Sequence, residues 1–255
     1  MSEIIVETKD RITRIEISRP EKKNALTPDM YAAMGQALRA ADADPQVRAV
    51  LIHGQPDCFC AGNDMKNFLE RPPDLKESPA WIVIRALAEA QKPLVAAVGG
   101  PAVGIGTTML LHCDFVYAAP DAKLQLPFVP LGLVPEAGSS LLLPMLAGYQ
   151  RAAELLLLGR PFTAEKAQAA GIVTEIVPAE RLIAQARETA MALAALPAAS
   201  VRATKRMMKH HLAAQLPAAM DEELRLFRER LAAPEAREAI SAFLEKRKPD
   251  FSRFS

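Results

Sequence analysis

Apolar residues alternate with polar ones at Ile4–Val6 and at Ile12, Ile15 and Ile17, split by Lys9-Asp10. This pattern predicts an opening antiparallel hairpin. A helical period follows: Met30, Met34, Leu38 and Ala41 share one face, Gln36 and Arg39 the other, and Thr27 stands where a cap is needed, so the helix is expected to run to about Ala41. Ala49 to His53 and Val95 to Val98 are short apolar runs bounded by turn residues, the mark of buried strands. Between them Ser78-Pro79 starts a second helix that continues through Trp81 to Ala90. The Pro- and charge-rich stretch Lys66 to Lys76 is read as a mobile loop, either a flap over a ligand or a variable surface segment. Beyond Val116, strand and turn continue through Lys123-Leu124-Gln125. Thr163 then caps a helix ended by Gly171, Ile172 to Val177 forms a last strand, and Ala179 to Lys246 is almost entirely helix-forming. The class is therefore α/β with helices gathered at the end, divided into 1–195 and a helical region 196–255.

Composition narrows the function. With 255 residues, 50% of them hydrophobic, the chain can bury a sizeable core, and a net charge of +1 gives no reason to expect a nucleic-acid partner. No apolar run reaches the roughly 18 residues of a membrane span, and the N-terminus lacks a basic region followed by an apolar core. A soluble chain with no membrane partner is expected. Three cysteines do not make a disulfide framework, so a cytoplasmic location fits. Cys58 and Cys60 are too close and too isolated for a zinc site, and no metal is expected. His112-Cys113-Asp114 is not a triad, because triads meet in space; Cys113 and Asp114 are read as structural. Ser139-Ser140 lacks a nucleophile elbow, and GGPAVGIG matches neither a dinucleotide nor a Walker loop.

Candidate chemistry gathers in Gln91 to Ser140. The apolar strand is followed by a turn at Gly100-Pro101 and another at Gly104-Ile105-Gly106, leading into a short apolar helix. The first amides of such a helix lack intrahelical acceptors and suit a developing negative charge, although glycines serving only close packing would give the same string. Glu136 then stands alone among Pro, Val, Ala and Gly. It is either a buried base or a residue that complements a helix dipole after Pro135. A matching unit lies earlier, where Ala49 to His53 and a Gly54–Asp57 turn lead to Phe59-Cys60-Ala61-Gly62-Asn63-Asp64.

The succession of RPEKKNAL from Arg19, AGND from Ala61, GGPAVGIG, CDFVYA and LLLLGRPFTAEKAQAAGIVTEIV resembles the crotonase (enoyl-CoA hydratase/isomerase) superfamily over nearly the whole chain. The resemblance implies a crotonase spiral of ββα units, followed by a helical region used for contacts in a homotrimer or dimer of trimers. It implies an acyl-CoA thioester as substrate, with coenzyme A part of that substrate and no separate cofactor. By the same resemblance the amides of Asn63 and Ile105 form an oxyanion hole. Lys23, Ala25, Ala61, Gly62, Asp64, Met65, Gly104, Thr108 and Phe128 are placed at the substrate, with Asp64 alternatively a turn-stabilising residue. Hydratases of the superfamily use two glutamates; the matching positions here are Thr108 and Phe128, which argues against water addition by that pair.

Glu136 remains as a lone base, which is what moving a double bond from the 3- to the 2-position requires. Desolvation by Phe128, Leu131, Leu133 and Val134 is expected to raise its pKa. AGND-x-x-NF, GPAVGI and PEAGSS resemble the peroxisomal-type 3,2-trans-enoyl-CoA isomerase branch, whose base occupies the Glu136 position; the acyl-CoA-binding domain of some relatives is not expected here. The alternatives are hydration with Glu136 alone, another crotonase-type reaction, or a non-catalytic acyl-CoA-binding subunit. The basic stretches Lys205, Arg206, Lys209, His210, His211 and Lys246-Arg247-Lys248 are expected to be solvated faces, with one of them, or Lys22 and Lys23, meeting the CoA phosphates.

Overall fold

The computed structural model describes residues 3–65 and 78–254. The hairpin forms: β1 (Ile4–Lys9) pairs antiparallel with β2 (Ile12–Ile17), Ile4 opposite Ile17 and Lys9 opposite Ile12. Asp10 and Arg11 between them have φ of 53° and 63°, the left-handed turn whose twist suits a two-residue hairpin. Alternation along β2 sends Ile15 and Ile17 into one core and Ile12 into another on the opposite face.

β2 opens a parallel run with β3 (Ala49–His53), β4 (Leu94–Val98), β6 (Phe115–Ala118) and β9 (Glu175–Ile176), in the order β1-β2-β3-β4-β6-β9. Parallel neighbours need crossovers. These include α1 (Pro28–Ala43), where Thr27 Oγ1 accepts from the Met30 amide, and α2 (Pro79–Glu89), where Ser78 caps the Trp81 amide. β3 and β4 are buried throughout: Val50, Ile52, Ala96 and Val98 face the α1–α2 core. Leu51, Val95 and Ala97 face α7 (Leu182–Ala195), whose Leu182, Ala186, Ala190 and Ala194 let it lie close to the sheet.

Two expected boundaries move. The chain turns at Gly100, at φ 59°, but Pro101 at once opens a strand that was not expected, β5 (Pro101–Val103), which pairs with β7 (Lys123–Gln125), itself beside β8 (Phe162–Thr163), in a second sheet. A missing amide is tolerated at the first residue of a strand. The last strand is shorter than Ile172 to Val177, because Ile172 and Val173 are buried before the ladder with β6 begins at Glu175.

After β5 come α3 (Ile105–Thr108), with a 3-10 turn at Met109–His112, then α4 (Ser139–Ala147), α5 (Tyr149–Leu158) and α6 (Ala164–Ala169). Beyond α7, α8 (Ala198–Lys209), α9 (Gln215–Ala232) and α10 (Pro234–Leu244) fold back, placing Leu216, Met220 and Ala236 in the main core. The basic stretches are solvated in part: Arg206, His210 and His211 are exposed, as are Lys246, Arg247 and Lys248 near the end, but Lys205 and Lys209 are not. Lys205 is buried, its ammonium 2.6 Å from the Asp114 carboxylate and 2.7 Å from the Lys92 carbonyl, while Asp114 also accepts from the Leu94 amide at 2.8 Å. That network pins α8 to the start of β4. The stretch Lys66 to Lys76 lies outside the described residues. Among the described residues no helix is long and apolar enough to cross a membrane.

Candidate active site

Three segments meet. Asn24 organises the first. Its fully buried amide group donates to the Cys58 and Phe59 carbonyls at 2.8 and 3.1 Å, while Oδ1 accepts from the Arg19 amide at 2.7 Å. The chain around it then runs beside AGND: the Ala61 amide donates to Lys23, Leu26 to Gly62, and Asp64 to Leu26. Lys23, Ala25, Ala61, Gly62, Asn63 and Asp64 thus come together, with the Lys23 side chain exposed. The Asp64 carboxylate is held at 2.8 Å by the Arg19 guanidinium, and that guanidinium also reaches the Ala25 carbonyl at 2.9 Å. Asp64 therefore orients the turn. Met65, half-buried, ends this described segment.

The second segment lies on the other side. Cys60 runs parallel to β5, its amide donating to the Pro101 carbonyl at 3.0 Å and its carbonyl accepting from Val103 at 2.9 Å. The same approach continues with Gly62 against Val103, after which the second segment turns at Gly104 into α3. The approach needs glycine: a Cβ on Gly106 would fall 2.5 Å from the Cys60 oxygen, and one on Gly62, at φ +92°, 2.9 Å from the Val103 oxygen. In the parallel bridge to Leu26, Gly62 and Asp64 supply the bonded groups, so the Asn63 N–H points to the opposite edge. The Ile105 N–H is the first of α3 and has no intrahelical acceptor. Gly104 before it borders open space, since a Cβ there would meet nothing within 4 Å. Asn63 Oδ1 accepts from the Tyr31 hydroxyl at 2.6 Å. Burial drives the Tyr31 phenol well above its ordinary pKa, and the charges of Cys60 and Glu136 push the same way.

Glu136 sits on the third segment. Thr108, buried on α3, donates its hydroxyl hydrogen to Glu136 Oε1. The Glu136 carbonyl accepts from Ser139 Oγ at 2.6 Å, and the Ala137 carbonyl lies 2.7 Å from His112 Nε2. Ala137 itself has φ 59°, the left-handed region in which a side chain costs about 1–2 kcal/mol. Gly138 and Ser140 donate their amides to the Glu223 carboxylate at 2.6 and 2.8 Å. Glu136 thus precedes α4, and Glu223, from α9, supplies the negative charge at that helix start.

Burial pushes the Glu136 carboxyl up to about 8; the Thr108 hydrogen bond opposes the rise and the Glu223 charge adds to it. Some of the residue still reaches the surface. His112 is pushed down to about 4 by burial first and then by the Lys209 charge, so it is neutral at pH 7 and Nε2 carries the proton given to Ala137. Phe128 and Leu133 are buried core residues and Leu131 packs against that core, while Val134 is half-buried. Cys58 and Cys60 are buried free thiols, and His112, Cys113 and Asp114 each have separate partners, as expected of structural residues.

Tyr31 and Glu223 escaped the sequence reading, while His112 and Ser139 were weighed there only as triad and nucleophile candidates and instead hold the Glu136 turn. For Tyr31 a signal existed: a tyrosine on the buried face of a helix needs a partner for its hydroxyl. Glu223, inside the acidic run Asp221-Glu222-Glu223, carries none.

A carboxylate of raised pKa, hydrogen-bonded to α3 close to its free N-terminal amide, is a group able to move a proton. Residues 7–253 match the enoyl-CoA hydratase/isomerase family. The chain belongs to that family. A crystal structure of an enoyl-CoA hydratase/isomerase from Pseudoalteromonas atlantica T6c superposes with a TM-score of 0.93 at 40% identity, covering 98% of this chain and 100% of that one. The fold is thus the crotonase fold. Enoyl-CoA delta isomerase 2 of Rattus norvegicus is 38% identical over 250 residues, 96% of this chain and 64% of that protein, so the chain spans just under two thirds of this relative's length. A probable enoyl-CoA hydratase of Mycobacterium bovis is 32% identical over 250 residues, 98% of this chain and 97% of that protein. With both reactions among relatives of this family, the side chains at the site must discriminate.

Proposed function

We propose that the protein is an enoyl-CoA isomerase that moves a 3-enoyl-CoA double bond to the 2-position, with Glu136 as its single base. The observation that carries this reading is the Thr108–Glu136 hydrogen bond. By the family resemblance, Thr108 occupies a position where hydratases present a second carboxylate, and here that position serves the remaining one. The Glu136 carboxylate takes a proton from the α-carbon, and the electron pair moves onto the thioester oxygen, which the Asn63 and Ile105 amides hold as an enolate. The same carboxyl group returns the proton to the γ-carbon, restoring Glu136. A carboxyl near 8 is a stronger base than an ordinary glutamate and a better proton carrier.

Lys23, Ala25, Ala61, Gly62, Met65, Gly104, Thr108 and Phe128 are proposed to border the thioester, with Asp64 acting through the turn it fixes. Coenzyme A enters as part of the substrate, and the proton transfer calls for no further cofactor. The test follows conjugation of trans-3-hexenoyl-CoA by absorbance in wild type and Glu136→Gln, with hydration of trans-2-hexenoyl-CoA as control. Glu136→Gln is expected to lower isomerisation by about a hundred- to ten-thousandfold, with little hydration by either protein. Hydration without isomerisation overturns the reading.

A further inference from the structure

Asn63 is held by α1 and by the residue that leads into it. The Leu26 amide donates to the Gly62 carbonyl at 2.8 Å and the Asp64 amide to the Leu26 carbonyl at 3.0 Å, so both backbone bonds of this bridge lie on one edge of the AGND segment. The Gly62 carbonyl and the Asn63 N–H belong to one trans peptide and point in opposite directions, which turns the N–H away from Leu26. Two bonds along one edge resist a roll of the segment about that edge only weakly, and Gly62 brings no side chain to oppose it. A side chain stands roughly perpendicular to the plane of such bonds, so a contact made through it does oppose the roll. Asn63 makes that contact. Its Oδ1 accepts from the Tyr31 hydroxyl at 2.6 Å, and among the described residues this is the only hydrogen bond made by the groups of Asn63 itself.

Tyr31 is a firm anchor. It is 4% exposed, on the buried face of α1, one residue beyond the Met30 amide that Thr27 caps. Burial first, and then the charges of Cys60 and Glu136, drive the phenol well above its ordinary value, so the hydroxyl keeps its hydrogen through neutral pH and has it to donate. A buried phenol needs a partner in any fold. Here the partner belongs to the residue whose amide, in the proposed mechanism, meets the reacting oxygen.

We propose that Tyr31 is a positioning residue of the enolate site: by holding the Asn63 side chain, its hydroxyl fixes the direction in which the Asn63 amide meets the thioester oxygen. The inference rests on the role proposed above for that amide.

Tyr31→Phe is expected to lower kcat for trans-3-hexenoyl-CoA by about tenfold, short of the hundred- to thousandfold typical of a lost oxyanion donor, with KM unchanged. Its kcat/KM should still rise with pH through about 8, as in wild type, because no charge is removed. Asn63→Ala takes away the acceptor instead of the donor and should cost a similar factor, and the double variant should fall no lower than the worse single one. Two losses that multiply would mean that Tyr31 does not act through Asn63; that result, or a wild-type kcat in Tyr31→Phe, overturns the proposal.

Bound 2,4-hexadienoyl-CoA reports the same geometry without turnover, since donors on its thioester oxygen move the absorbance of the conjugated chain to longer wavelength. The shift is expected to shrink in Tyr31→Phe and in Asn63→Ala while binding persists, so the test stands if either variant fails to fold. A shift of wild-type size in both refutes the positioning role, even where turnover is lost. A reduced shift in a protein that hydrates and does not isomerise would support the positioning role and sink the isomerase reading, which keeps the two failures apart.

Discussion

Burial and the Thr108 hydroxyl act on Glu136 in opposite directions, and burial prevails, leaving the carboxyl at about 8. As a base it works only when deprotonated, so kcat/KM for trans-3-hexenoyl-CoA is expected to climb with pH through about 8. Thr108→Val removes the hydrogen bond that favours the ionised form and should shift this rise to higher pH; pH–rate profiles of the two proteins check it. Stability has the opposite sign. Between the ordinary value of 4.5 and about 8 the folded chain holds a proton that the unfolded chain has released, so Glu136 makes stability fall as pH rises through that window. In Glu136→Gln this part of the fall should vanish, as urea midpoints at pH 5 and pH 9 would record. Glu136 itself was legible as a carboxylate stranded among apolar and turn residues. Tyr31 and Glu223 were not, because their contacts to the site cross 32 and 85 residues of chain and leave no local pattern.

The start of α4 is an assembly of three elements. α9 lends Glu223 to the Gly138 and Ser140 amides, the turn after α3 lends His112 to the Ala137 carbonyl, and Ala137 is thereby kept in its left-handed conformation. Glu223→Ala leaves two amides without their acceptor and is expected to cost about 1–3 kcal/mol in chemical denaturation, with a fall in kcat as the Glu136 turn relaxes. At the junction of AGND with β5 the limiting factor is space. Gly106→Ala places a carbon 2.5 Å from the Cys60 oxygen, so the two segments must part. Isomerisation should fall by about a hundredfold, the scale of losing one oxyanion donor, while substrate binding changes less; separate kcat and KM values would show it. α1, α2, β3 and β4 could be read from the sequence because caps, apolar period and bounding turns are local. β5 and the short β9 were misread because three and two residues acquire strand character only from β7 and β6 beside them.

Across the whole molecule, the helices after residue 196 fold onto the first region through Leu216, Met220 and Ala236, yet they do not cover all their own apolar residues. Met207 and Met208 on α8 are 75% and 61% exposed, and Tyr149 and Leu157 on α5 are 71% and 61% exposed. Single exposed apolar side chains are ordinary on a monomer, but large ones recurring along two helices suit a surface that a second copy covers. The family resemblance implied trimers built through the helical region, which favours α8. Light scattering is expected to give a mass near three times the 27.7 kDa of the chain. Met208→Glu should then lower that mass, because a charge desolvated at an interface without a partner opposes association, whereas Tyr149→Glu should leave it unchanged. If Tyr149→Glu lowers it instead, the contact runs through α5. A wild-type mass of one chain at micromolar concentration would mean that these helices serve only to close the core and the Glu136 turn.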